Sequence, residues 1–355
     1  MNSVALRCPQ PAHPFFTVAV SVRVSLWVIF LSVLVGCGDG TPKNEVVLFC
    51  AQDRLFAEPL LADFEKQTGI KVRAQFDDEA AKTVGLTTRL IARKGHPECD
   101  VFWNNEIAQT CVLRDQGILE TWSPAAGTDL PGGFKDSGRV WTGFAVRARV
   151  ILYNTELVKP EDAPQTLQDL VQPRFKNKVA MARPLFGTTL THAAALFEAW
   201  GPDKAQAWFR ALNANGVKIA AGNAMARNLV VSGECAVCLT DTDDANGAFL
   251  KQAPVAMIYP DQDGLGTLVI PHTVMLIKNG PHPEQAKKLI EYLLSAAVEA
   301  RLAKGESAQM PLRPGVPGPG ERFVLSKIKA MPADWDKISQ HFEAVKKFVE
   351  SEFVK

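Results

Sequence analysis

The chain has 355 residues, with 39 lysines and arginines against 38 aspartates and glutamates. That balance gives no long-range field for gathering nucleic acid, so any partner must be recognised locally. Hydrophobic residues make up 47%, which excludes a disordered chain and allows a sizeable core.

At the start, Arg7 and Arg23 precede a charge-free apolar run over 24–35 that ends in Leu34-Val35-Gly36-Cys37. The run is shorter than the roughly 20 residues a membrane-crossing helix needs. A positive region, a short apolar stretch and a small residue before a cut describe a secretory signal peptide over 1–36. A Cys directly after Leu-Val-Gly resembles a bacterial lipobox, with Cys37 as the lipidated residue and 37–44 as a polar tether. The plainer reading makes Cys37 an ordinary buried thiol. Residues 37–355 then suit two domains of about 150 residues each.

Beyond Cys8 and Cys37, the cysteines are Cys50, Cys99, Cys111, Cys235 and Cys238. Five cannot all pair within one chain, although export permits disulfides. Cys235 and Cys238 sit in an apolar run that reads as a strand, where positions three apart point to opposite faces. Buried free thiols are therefore expected there, not a redox or zinc site.

From 45 onward short apolar runs alternate with amphipathic stretches, which is α/β patterning. Strands are expected at 46–50, 70–76 and 99–103, with helices at 56–68, 80–94 and 107–115, the first of them stopped by Gly69 and the last by Gly117. A second α/β set follows: strands at 150–153, 179–181, 217–219 and 236–239, and helices at 166–170, 188–200, 203–213 and 223–232. Strand character returns at 266–277, a helix at 283–296, and a Pro/Gly-rich turn at 311–320 leads to terminal helices. No solenoid repeat is visible.

The stretch Phe64-Glu65-Lys66-Gln67-Thr68-Gly69-Ile70-Lys71-Val72, entered from Glu58, resembles the opening of the periplasmic ferric-iron-binding proteins that serve ABC-type importers. Three further blocks agree in order: Asp100-Val101-Phe102-Trp103, the run from Arg147 to Thr155, and the run from Asn223 through Gly233-Glu234 into a strand. The resemblance implies a two-lobe, type II periplasmic-binding-protein ("Venus flytrap") fold with a ligand cleft between lobes. The expected lobes are 45–146 plus 268–325 and 147–267 plus 326–355, with crossovers near 147–153 and 264–271. It also implies a monomer in the periplasm or at the cell surface, ABC permease subunits as partners, membrane contact through the lipid anchor only, and a metal ion as transported ligand, not as a cofactor.

Carried over residue by residue, a ligand after the first strand falls at Asp53, and one just past Asp-Val-Phe falls at Asn105 or, shifted by one, Glu106. The anion-holding helix start falls at Thr188 and Thr189, and its asparagine at Asn223. The family's adjacent tyrosine pair falls at Asp243 and Asp244. The only tyrosines here are Tyr153, Tyr259 and Tyr292, none adjacent to another, so carboxylates stand where phenolates are usual.

Asp241, Asp243 and Asp244 on one loop, with Asp53 and Glu106 facing them, offer hard oxygen ligands of the kind Fe³⁺, Ca²⁺, Mg²⁺ or Mn²⁺ accept. Asp53, Glu106, Asp243 and Asp244 are the expected metal ligands. Trp103, three residues before Glu106, could instead face an organic cation such as a polyamine or a thiamine-like solute. The plainer reading of Thr240-Asp241-Thr242-Asp243-Asp244 is a capped, solvated turn. The helix start at Gly187-Thr188-Thr189 favours an anion, which adds a zwitterion such as an aminophosphonate. Arg147 and Arg149, at the crossover, are read either as ligand contacts or as partners of carboxylates across the hinge, the second being preferred. Beyond His13 in the expected signal peptide, the histidines His96, His192, His272, His282 and His341 are scattered, with no His-Glu-x-x-His and no Gly-x-Ser-x-Gly, so an enzyme is not expected.

Overall fold

The computed structural model describes residues 44–77 and 84–353. The expected signal peptide, Cys37 and all but the last residue of the tether lie outside the described residues.

The chain opens with β1 (Glu45–Cys50), α1 (Arg54–Thr68), β2 (Lys71–Phe76), α2 (Val84–Ala92), β3 (Val101–Asn104) and α3 (Ala108–Asp115). The long β4 (Thr142–Asn154) follows, then β5 (Val179–Ala182), α4 (Gly187–Trp200), α5 (Pro202–Ala214), β6 (Lys218–Ala220), α6 (Asn223–Val231), β7 (Val237–Asp241), α7 (Thr242–Leu250) and β8 (Val255–Ile258). The last elements are β9 (Val269–Leu276), α8 (Pro283–Leu293), α9 (Ala296–Lys304), α10 (Trp335–Gln340) and α11 (Phe342–Phe348).

The strands run in the order β2-β1-β3-β9-β4-β7-β5-β6, with β8 also on β4. β1 pairs parallel with β2 and β3, and β5 parallel with β6 and β7. Between these parallel sets β4 and β9 run antiparallel to their neighbours. The first part of β4 pairs with β9 through Ala148, and the second part pairs with β7 from Arg149. One buried strand thus carries the chain from one parallel set to the other.

Leu60, Leu61 and Phe64 on α1 pack with Leu289, Ile290 and Leu293 on α8 over one face of β1 and β3. The i, i+4 spacing of Leu60 and Phe64 puts both on one side of the helix. Gly69, at φ 69°, ends α1 in the left-handed region and donates its N–H to Glu65, a cap that glycine makes without steric cost. A second core continues from Phe49 and Phe102 to Phe197, Phe209, Trp335, Phe342 and Phe348.

Most boundaries fall within a few residues of expectation, but β4 begins at Thr142, ahead of the strand expected only from 150, β8 stands where no strand is expected, and three segments differ in kind. The acidic segment expected as a loop begins a helix, α7, because Thr and Asp suit a helix start as well as a turn and the two acids of its first turn complement the helix dipole. The helix expected over 283–296 stops at Leu293, and Ser295 caps a new one by accepting the N–H of Val298. Residues 167–171 form a 3-10 turn, fixed by a capping box between Thr166 and Asp169. Cys50, Cys99, Cys111, Cys235 and Cys238 are buried, and none of them forms a disulfide.

Candidate functional site

A cavity of about 580 Å³ opens where strands from both parallel sets end. Asp53 follows β1, Asn105 follows β3, Arg183 follows β5, Ala221 and Gly222 follow β6, and Asp241 ends β7; all of them line it. Carboxyl ends of strands are where open α/β sheets bind ligands, because the connecting loops and helix starts converge there.

Asp241 is the centre of the wall. Its carboxylate accepts from Arg149 Nη1 at 2.6 Å, Thr188 Oγ1 at 2.5 Å and Asn223 Nδ2 at 3.0 Å. Arg149 Nη1 also reaches Thr188 Oγ1 at 3.2 Å and Asn223 Oδ1 at 3.3 Å, and Thr189 Oγ1 lies 3.2 Å from Asn223 Oδ1. The starts of α4, α6 and α7 are thereby tied to one carboxylate. In none of the three does the N-cap side chain cap the helix, and in α7 the N–H of Asp244 goes to Asp243 Oδ1 at 3.1 Å. Gly187, at φ 51°, makes the turn into α4.

Arg147 lies between the carboxylates. Its Nη1 donates to Asp243 Oδ2 at 2.8 Å and its Nη2 to the carbonyl of Asn105 at 2.7 Å, while Nε finds no hydrogen bond. Asn105 Oδ1, also buried in the wall, is equally without a partner. Asp244 accepts from Thr240 Oγ1 at 3.2 Å and stands 3.6 Å from Arg227. One oxygen each from Asp241, Asp243 and Asp244 lies within 4.8 Å of the others.

These surroundings split the three acids. Burial would raise Asp241, but Arg149 and Arg147 override it and hold its carboxyl below the usual range. Asp243 is raised, since burial outweighs Arg147. Asp244 is pushed up to about 8 by burial and by the charges of Asp243 and Asp241. His192, enclosed beside Arg149, is driven down to about 3, chiefly by burial, so it stays neutral. Its Nδ1 lies 3.4 Å from Arg149 Nε, a core placement that gives no support to a base.

Asp53, Asn105, Thr188, Thr189, Asn223, Asp241, Asp243 and Asp244 therefore come together around one cavity. Trp103 and Glu106 do not. Trp103 is fully buried, donates its indole N–H to His272 Nδ1 at 3.1 Å and packs against Phe144, leaving no open face for a cation. Glu106, also fully buried, accepts from the N–H groups of Ala108 and Gln109 and from Thr191 Oγ1 at 2.7 Å. It caps α3 and ties it to α4, and is corrected here from metal ligand to structural carboxylate. Thr191→Val should cost about 1–3 kcal/mol in urea unfolding, the usual effect of stripping a donor from a buried carboxylate.

Arg147 and Arg149 pair with Asp243 and Asp241; Arg147 also lines the cavity, while Arg149 lies buried behind Asp241. Two arginines two apart on a strand share a face, and that spacing was the available signal.

The family described as bacterial extracellular solute-binding protein matches residues 110–341, more than half of the chain. The chain belongs to that family. Among relatives of this solute-binding protein, iron uptake protein A1 of Synechocystis is 29% identical over 83% of this chain and 83% of its own. A putative 2-aminoethylphosphonate-binding periplasmic protein of Salmonella typhimurium is 27% identical over 79% of this chain and 82% of its own. The iron-bound crystal structure of HitA from Pseudomonas aeruginosa superposes with a TM-score of 0.78 at 20% identity, covering 86% of this chain and 99% of that one. That likeness fixes the two-lobe α/β fold. Members of this family bind solutes and are transport components, not catalysts.

Proposed function

We propose that this solute-binding protein is the extracytoplasmic receptor of an ABC importer and that its cargo is a hard cation, with iron first. The observation that carries the reading is the set of three converging aspartate oxygens on the cavity wall, with Asp53 lining the same cavity. All-oxygen donors suit hard cations, and the iron-named relative points the same way. In this reading Asp53, Asp243 and Asp244 hold the cation, while Asn105, Thr188, Thr189, Asn223 and Asp241 shape the cleft. Lobes 45–146 plus 268–325 and 147–267 plus 326–355 close on cargo, and the permease subunits read the closed form; cargo selects it by its differential affinity.

The proposal includes export by residues 1–36 and lipid attachment at Cys37, so that the receptor sits in the periplasm or at the cell surface as a monomer. No helix among the described residues is long and apolar enough to cross a membrane.

One observation favours a second cargo, a zwitterion such as an aminophosphonate. The same cavity carries Arg147, Arg183 and three helix starts without an N-cap side-chain bond beside its acids, which suits an anionic group held next to an amine.

The test is metal content of gently purified protein, with thermal shifts for Fe³⁺, Mn²⁺, Ca²⁺, polyamines and aminophosphonates. Asp243→Ala with Asp244→Ala is expected to abolish cation binding and cargo-driven closure while the protein stays folded. Unchanged cation binding by calorimetry would sink the assignment of these ligands. Stabilisation by an aminophosphonate alone would move the receptor to organic-solute import.

A further inference from the structure

Arg147 lines the cleft and Arg149 reaches Asp241 in its wall because β4 carries one extra residue. Thr142 stands opposite Val274 and Phe144 opposite His272, but Val146 stands opposite Pro271 and Arg147 opposite Ile270. The register slips by one at Ala145, which takes φ 41°, a conformation that residues with a Cβ rarely adopt. Without the slip, Val146 would stand opposite Ile270 and Ala148 opposite Leu268. With it, Arg147 faces Ile270, and the N–H of Arg149 donates to Leu268 at 2.9 Å. A one-residue slip exchanges the two faces of a strand, and bulges re-aim side chains in this way.

The partner strand does not hold this bulge, because Pro271 has no N–H to give. Val146 instead exchanges both of its backbone hydrogen bonds with Met310, each at 2.7 Å. The N–H of Ala145 is taken by Glu299, a fully buried carboxylate on α9, at 3.0 Å. The same oxygen accepts the N–H of Leu312 at 2.9 Å, and the other accepts from Arg313 Nη1 at 2.9 Å. One carboxylate thus joins the bulge to the segment that replaces the missing strand partner.

We propose that Glu299 is a positioning residue for the ligand site: by accepting the N–H of Ala145 it holds the bulge that turns Arg147 into the cleft and Arg149 onto Asp241. Glu299 touches neither the cavity nor either arginine. The proposal rests on the cleft reading above, but its test is made without cargo, so the two fail in different experiments.

The readout is exchange of the Arg149 guanidinium N–H with solvent, followed by NMR on purified cargo-free protein. Glu299→Ala removes the acceptor and should speed that exchange by roughly tenfold or more. Glu299→Gln loses the same ion pair with Arg313 but keeps an acceptor oxygen, and should stay within about threefold of wild type. Val298→Ala, a core truncation on the same helix, should leave Arg149 protected, which separates positioning from general loosening. Unchanged exchange in Glu299→Ala, or equal acceleration in Glu299→Gln, would overturn the proposal. Should Glu299→Ala not fold, Arg313→Met decides: it removes the ion pair and leaves the carboxylate on Ala145, so protection is expected to remain, and its loss would count against the bulge.

Discussion

Asp241→Ala is expected to lower the unfolding free energy by about 3–5 kcal/mol, the usual result of removing one partner from a buried ion pair. Arg149 is fully enclosed, and its Nη2 already lacks a hydrogen-bond partner. Losing the 2.6 Å contact to Asp241 leaves a buried cation with only hydroxyl, amide and imidazole neighbours. The loss extends past the pair, since Thr188 and Asn223 both donate to the same carboxylate and sit at the starts of α4 and α6. Arg149→Met combined with Asp241→Leu should recover most of that stability, because an apolar pair of similar volume replaces a desolvated ionic one. It should not recover cargo binding. Urea unfolding read by fluorescence and by circular dichroism checks both parts; a loss below about 1 kcal/mol for Asp241→Ala would mean that water screens the pair.

Much of the fold was legible because the strands of the parallel sets are short apolar runs punctuated by glycine or by amphipathic helices. The site was partly legible for a different reason. Asp243 and Asp244 were singled out through the order of surrounding blocks, since their composition by itself favoured a solvated turn. The same ambiguity hid α7, since a helix start and a capped turn use the same residues. Trp103 and Glu106 were misplaced because residues around the end of a buried parallel strand carry no local mark of which ones face a cleft and which enter the core. The bulge at Ala145 could not be read at all. It depends on Pro271 from β9, Met310 from a loop and Glu299 from α9, which come together only in the folded chain.

The cargo-free protein should lose stability as pH rises from about 6.5 to about 8.5, the opposite of what an ordinary ion-paired aspartate gives. Folding lifts Asp244 from 3.8 to about 8, through burial and then the charges of Asp243 and Asp241. Between those values the folded state holds a proton that the unfolded chain has released. The stability from this group is therefore complete below its unfolded value and is lost as pH climbs through 8. Asp243 is raised as well and acts in the same direction. His192 acts in the opposite sense: depressed from 6.5 to about 3, it contributes stability that is present above 6.5 and lost on acidification. The two oppose each other between about 4 and 6.5, and above that only the acids remain. Thermal midpoints of wild type should accordingly fall across the upper window, and Asp244→Asn, which cannot ionise, should flatten the profile. A cation seated on this cluster must displace the proton, so a fixed concentration of Mn²⁺ should stabilise the protein more at about pH 8.5 than at about 6.5. A flat or rising wild-type midpoint would show that Asp244 is already ionised at neutral pH, with Arg227, 3.6 Å away, as the charge that keeps it so.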